Sequence, residues 1–194
     1  MKTRTRLLVA LLLCALMVAT SLIAMIPASA AEGDLVTDYG TVPADQTGKT
    51  FAVFQGEGKN AVGCYDSWKE AVLGAKALMD ASAQKVTILQ LGDYVNNDGF
   101  EIPSNLAYTK GNLLIDLNNH TFTVANGHFL YLRTDAANAI SADALEISVK
   151  NGTVLQGTGY ILDVQHKASP AAKAIDITFN NVKFGYHGDY DNAS

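Results

Sequence analysis

The sequence predicts an all-β solenoid, a right-handed parallel β-helix entered through an amino-terminal hairpin and one capping α-helix. Three observations predict it. An eight-residue strand pattern returns three times at steps of 32 and 30 residues, an asparagine holds the same place in every copy, and one helical stripe precedes them all. Periods of about 20–50 residues mark repeat architectures.

The copies run from Ile115 to Phe122, from Ile147 to Val154 and from Ile177 to Phe184. Each reads apolar, polar, apolar, polar, Asn, any, polar, apolar. Alternation places Ile115 and Leu117 on one face, Asp116 and Asn118 on the other. With strands stacked about 4.8 Å apart, Ile115, Ile147 and Ile177 would form one inward column, and Leu117, Val149 and Phe179 a second. Asn119, Asn151 and Asn181 would form a structural ladder at one bend. Asparagine tolerates left-handed backbone there, and its amide can bond the same amide above and below. A weaker copy begins at Val86, and His128 to Arg133 and Tyr160 to Gln165 supply further strands. The rival reading, an antiparallel sandwich with asparagines in ordinary turns, gives no reason for equal register in three copies.

Ahead of the copies the chain divides by composition. Residues 1–30 read as a signal peptide: Lys2, Arg4 and Arg6 form a basic head, Leu7 to Ile26 is uncharged and apolar, and Ala28-Ser29-Ala30 is a cleavage site. A retained membrane anchor is the rival reading, since about 20 apolar residues can span a bilayer. Residues 31–48 lack periodicity and read as a linker. Residues 49–84 hold a hairpin to Tyr65 and a helix over 67–81. Ser67 and Glu70 form a capping box, and Trp68, Ala71, Val72, Ala75, Leu78 and Met79 recur at helical spacing. Residues 85–184 would be β-helix coils. Residues 185–194 form a polar tail that reads as a truncated end, so the chain is expected either to be a fragment or to cover its open last coil by self-association.

Charge narrows the partners. Three of the 14 basic residues lie in the signal segment and none of the 19 acids does, so the exported chain would carry a net charge of −8. That argues against nucleic acid and against an anionic membrane surface. Cys64 would be the one cysteine left, which excludes an intrachain disulfide.

Four stretches carry a resemblance: Phe51 to Phe54, Val62 to Val72, Val86 to Leu89 and Leu114 to Phe122. Over residues 50–190 the chain resembles the pectate-lyase-like right-handed parallel β-helix superfamily. It is similar above all to the amino-terminal region of secreted or surface proteins of Gram-positive bacteria. The resemblance implies a helix capping the amino-terminal end of the solenoid, and for the family's lyases an arginine base beside calcium held by clustered acids.

The matched strands place Asp116, Asn118, Ser148, Lys150, Thr178 and Asn180 on the outward face, and these are the candidate ligand-binding residues. One carboxylate and one lysine make neither an acid cluster for calcium nor the paired carboxylates of a glycoside hydrolase. No catalytic residue, metal site or cofactor is therefore expected. His120, His128, His166 and His187 share no metal-ligand spacing, Asp163 reads as a solvated wall residue, and Trp68 reads as core rather than a sugar platform. The expected function is a secreted or cell-surface scaffold in adhesion or glycan binding, with polysaccharide or a surface glycan as partner. The alternative is the amino-terminal part of a polysaccharide lyase or hydrolase with its active site downstream.

Overall fold

The structure, a computed structural model, describes residues 33–82, 84–99, 111–134, 145–166 and 175–188. The signal-like segment 1–30, residues 189–194 of the tail and the side chains of Arg133 and His166 lie outside the described residues. Strands β1 (Leu35–Thr37) and β2 (Gly40–Val42) pair antiparallel and lead through a short 3-10 turn, Ala44–Gln46, to β3 (Phe51–Gln55). There follow β4 (Gly63–Tyr65), the helix α1 (Trp68–Ala81), β5 (Val86–Gln90), β6 (Tyr94–Asn96), β7 (Gly111–Asp116) and β8 (Thr121–Val124). The chain then forms β9 (His128–Thr134), β10 (Leu145–Gln156), β11 (Tyr160–His166) and β12 (Ile175–Tyr186). The span expected to be a linker is thus partly ordered into a ribbon, and β12 runs two residues into the expected tail. Among the described residues no helix is long and apolar enough to cross a membrane.

The β-helix expectation is overturned. The main sheet is a curled, mixed half-barrel of seven strands in the order β4-β3-β5-β7-β10-β8-β6, with β12 added along β10. Strand β3 lies antiparallel to both β4 and β5, whereas β5, β7, β10 and β12 run parallel. Strands β9 and β11 form a separate parallel pair. The repeat therefore reports only that successive copies lie side by side. It says nothing of direction at β3, where the run Phe51 to Phe54 is apolar throughout and buried on both faces.

Helix α1 fills the concave side of this sheet. Ser67 caps it: its Oγ accepts the Glu70 N–H at 3.2 Å while its hydroxyl donates to the Glu70 carboxylate at 3.0 Å. Trp68, Ala71, Val72, Ala75 and Met79 are buried, the expected stripe, and Leu78 packs beside them. Trp68 stacks on Phe129 at 5.3 Å and meets Phe122 edge-on at 5.1 Å, and its Nε1–H donates to the Phe129 carbonyl at 2.9 Å. Each such ring pair adds about 0.5–1.5 kcal/mol beyond area burial. The ring is core, with no face left for a sugar. A second apolar layer covers the outer face near the amino terminus, where Val42, Ala52, Phe54 and Leu89 are packed by Tyr39, Ala61 and Cys64.

Register holds between the last two copies and slips in the first. Ile147 pairs with Ile177 and Val149 with Phe179, as the pattern requires. On the other edge Ile147 pairs with Leu113 and Val149 with Ile115, two residues from the expected partners, while Thr153 still meets Thr121. The extra residues are taken up at the bend, where Asn118 (φ 50°) and Asn119 (φ 63°) are both left-handed. Packing explains the slip. Leu117 turns inward over Gly152, where a Cβ would strike the Leu117 side chain and lie 2.7 Å from the His120 carbonyl. Asn151 (φ 56°) and Asn181 (φ 54°) hold the left-handed bend that asparagine was expected to supply. The ladder itself is shorter than expected. Asn181 Nδ2 donates to Asn151 Oδ1 at 3.3 Å, but the Asn151 amide turns to Asp116 at 3.4 Å rather than to Asn119.

Candidate functional site

The two-residue slip rearranges the expected ligand face. Its rows are Leu114, Ser148, Thr178 and Asp116, Lys150, Asn180, so Asp116 lies beside Lys150 rather than Ser148. Asp116 is 6% exposed and its four contacts account for both oxygens. Oδ1 accepts the Asn118 N–H at 2.9 Å and the Asn151 amide; Oδ2 accepts the Tyr39 hydroxyl at 2.5 Å and pairs with Lys150 Nζ at 3.3 Å. Tyr39 comes from the ribbon that the sequence reads as a linker. Lys150 Nζ also sits 5.3 Å from the centre of its ring.

Both neighbours of the carboxylate hold their protons. Burial, then the bond to Asp116, pushes the Tyr39 hydroxyl up from its ordinary range. The bond to Tyr39, reinforced by the charge of Asp116, pushes Lys150 up. A tyrosine and a lysine shifted this way stay protonated at neutral pH and offer no general base. The structure therefore brings Asp116, Asn118 and Lys150 together as a packed polar clamp. It leaves Ser148, Thr178 and Asn180 on the exposed outer surface, without a carboxylate among them.

The remaining candidates resolve in the same direction. Asp163, expected to face solvent, lies 2.9 Å from His128 Nε2; the two side chains are 18% and 4% exposed. His128 is sandwiched near Tyr131 at 4.4 Å and Tyr160 at 5.8 Å, a clasp between β9 and β11. His120 lies at the bend, 3.5 Å from Asp93. Cys64 is half-buried, and burial raises its thiol, which works against reactivity. Among the described residues no group of three or more His, Cys, Asp or Glu could hold a metal ion.

One concave site was not legible as such. A cleft of about 470 Å³ opens at the carboxyl-terminal ends of β8, β10 and β12, lined by Ala125, Gln156, Gly157, Thr158, Tyr186 and His187 among others. That volume is within the usual range of about 300–1,000 Å³ for small-ligand sites. The walls are held by backbone bonds that prolong the strands: Gly157 N–H to Val124 O at 2.8 Å, Thr158 N–H to Ala125 O at 3.1 Å and His187 N–H to Gln156 O at 2.8 Å. The Thr158 hydroxyl also donates to the Ala125 carbonyl. Tyr186 is 63% exposed, and the described lining holds no Lys, Arg, Asp or Glu. The one signal in the sequence is an aromatic residue beside a histidine in an otherwise polar tail.

No family model, curated protein or solved structure matches this chain, so the resemblance to the pectate-lyase-like superfamily stands on its sequence motifs alone.

Proposed function

We propose that this chain is a non-catalytic scaffold of the extracellular or cell-surface space that binds neutral carbohydrate in the cleft at the ends of β8, β10 and β12. One observation carries the reading: an exposed Tyr186 ring shares a concave site with Gln156, Thr158 and His187. A flat aromatic face stacks on the apolar face of a sugar ring. The Gln156 amide and the His187 imidazole can each donate and accept, and the Thr158 hydroxyl, which donates to the Ala125 carbonyl, can accept, as paired sugar hydroxyls require. The described lining holds no Lys, Arg, Asp or Glu, which favours neutral sugars over uronates. Export is read from the basic head, apolar run and small-residue cleavage site of residues 1–30.

Titration calorimetry with neutral hexasaccharides of glucose, mannose and N-acetylglucosamine tests the reading. At least one should bind with a Kd between about 10 μM and 1 mM. Tyr186→Ala should weaken it at least ~10-fold with an unchanged melting temperature, since removal of an exposed side chain shifts stability by only about 0.5 kcal/mol. Silence across the panel, or binding indifferent to both Tyr186→Ala and Gln156→Ala, would overturn it.

A further inference from the structure

We propose that the outer edge of β12 is a homodimer interface, in which two copies pair β12 antiparallel across a two-fold axis at the Asn180-Asn181 bend. Strand β12 is twelve residues long and pairs with β10 along its whole length. Among the described residues no strand pairs its other edge. Three apolar rows run outward across the sheet and lose their cover only there. Leu113 and Ile147 are sealed and Ile177 is partly open; Ile115 and Val149 are sealed and Phe179 is partly open; Phe122 and Val154 are sealed and Phe184 is 51% exposed. Residues 175–186 contain no proline and no inward-facing charge, and Lys183 is the one lysine on this edge.

The pattern of β12 names its own occupant. Read backwards about the midpoint of Asn180 and Asn181, its sequence of inward and outward positions repeats itself. Ile177 then lies opposite the partner's Phe184 and Phe179 opposite the partner's Val182, all on the inner face. Thr178 lies opposite the partner's Lys183 and Asn180 opposite the partner's Asn181, all outward. Self-complementarity of this kind is what a two-fold interface requires. A slip by one residue would set inward against outward positions at every pair but the one on the axis.

Two further features agree. Asn181 bends the strand (φ 54°), and a bent strand can match its copy only where bend meets bend, which puts the axis at that point. Asp176 and Lys183 are the only Asp, Glu, Lys or Arg in β12, one of each sign, so the edge is neutral in an acidic chain. In this register each Lys183 is diagonal to the partner's Asp176, within reach of a long side chain. The same register continued sets Ile175 opposite the partner's Tyr186 at the edge of the cleft, but the dimer is read by sedimentation and cross-linking and the carbohydrate site by calorimetry with Tyr186→Ala, so either reading can fail without the other.

Sedimentation equilibrium of the natively processed full chain between about 1 and 100 μM is the first test. We expect a monomer–dimer equilibrium whose dissociation constant rises at least ~10-fold in Ile177→Lys and in Phe184→Lys. The register is tested by cross-linking in a Cys64→Ser background. Mild oxidation should join Thr178→Cys to Lys183→Cys when the two variants are mixed, since directly opposed Cβ atoms lie about 5 Å apart. Neither variant alone should cross-link. Because Thr178 and Lys183 are both exposed, folding is not at stake in that pair. A monomer at every concentration, or cross-linking as strong in the single variants as in the mixture, would overturn the proposal.

Discussion

Replacing Asp116 with alanine should destabilise the fold by about 2–4 kcal/mol. The magnitude follows from what the carboxylate holds. Removing one member of a buried ion pair costs about 3–5 kcal/mol, because the other charge is stranded. Here the Lys150 side chain is 34% exposed against 8% for Asp116 and can turn towards water, which lowers the figure. The bonds from the Asn118 N–H and the Tyr39 hydroxyl raise it again, since hydrogen bonds to a charged group contribute about 1.5–3 kcal/mol each and add only partly. Asp116→Asn keeps shape and one acceptor and should cost about 1–2 kcal/mol. Urea unfolding, followed through the single tryptophan, Trp68, measures these differences. A cycle with Tyr39→Phe should show coupling of about 1 kcal/mol between the two side chains. If Asp116 were instead a ligand group held ready at the surface, stability would barely respond. A loss below about 1 kcal/mol for Asp116→Ala, or strict additivity with Tyr39→Phe, would refute the clamp.

Two further outcomes follow from the bend and the clamp. At Asn151, alanine should cost about 1–2 kcal/mol for its left-handed backbone; glycine escapes that penalty and should cost less, though both lose the amide bonds to Asp116 and Asn181. Urea midpoints that rank glycine as the worse substitution would contradict the assigned φ. The clamp also predicts an alkaline limb. Tyr39 and Lys150 both have pKa values raised on folding, so their contribution is complete below the unfolded values of about 10. It is then lost as pH climbs through the raised folded values. Stability above pH ~10 should fall more steeply in the parent chain than in a Tyr39→Phe, Lys150→Met double variant, and parallel limbs would be evidence against this origin.

Local signals were legible and global ones were not, for physical reasons that particular residues expose. The helix could be read because Ser67, Glu70 and the Trp68 stripe are all set by residues within a few turns. The left-handed bends at Asn119, Asn151 and Asn181 could be read because few other side chains tolerate that backbone. The in-register pairing of Ile147 with Ile177 could be read because the last two copies have equal lengths on both sides of the bend. Strand direction could not, because alternation states which face a residue occupies and nothing about which way the neighbouring strand runs. The hairpin read over residues 49–65 did give β3 antiparallel to β4, but the half-barrel depends on the direction of β3 against β5, which no local signal stated.

The arrangement of the candidate residues departs from expectation at a finer step. A slip of one residue inverts every side chain, whereas a slip of two preserves the faces, so the pattern cannot distinguish Leu113 from Ile115 as the partner of Ile147. The choice falls to packing at one corner, where Leu117 closes over Gly152. That choice moves Asp116 from beside Ser148 to beside Lys150. The shift supplies it with a counter-charge, and Tyr39 then closes over the pair from a segment with no periodicity of its own. The same two residues therefore decide both the register of the sheet and whether Asp116 faces a ligand or is held by the fold.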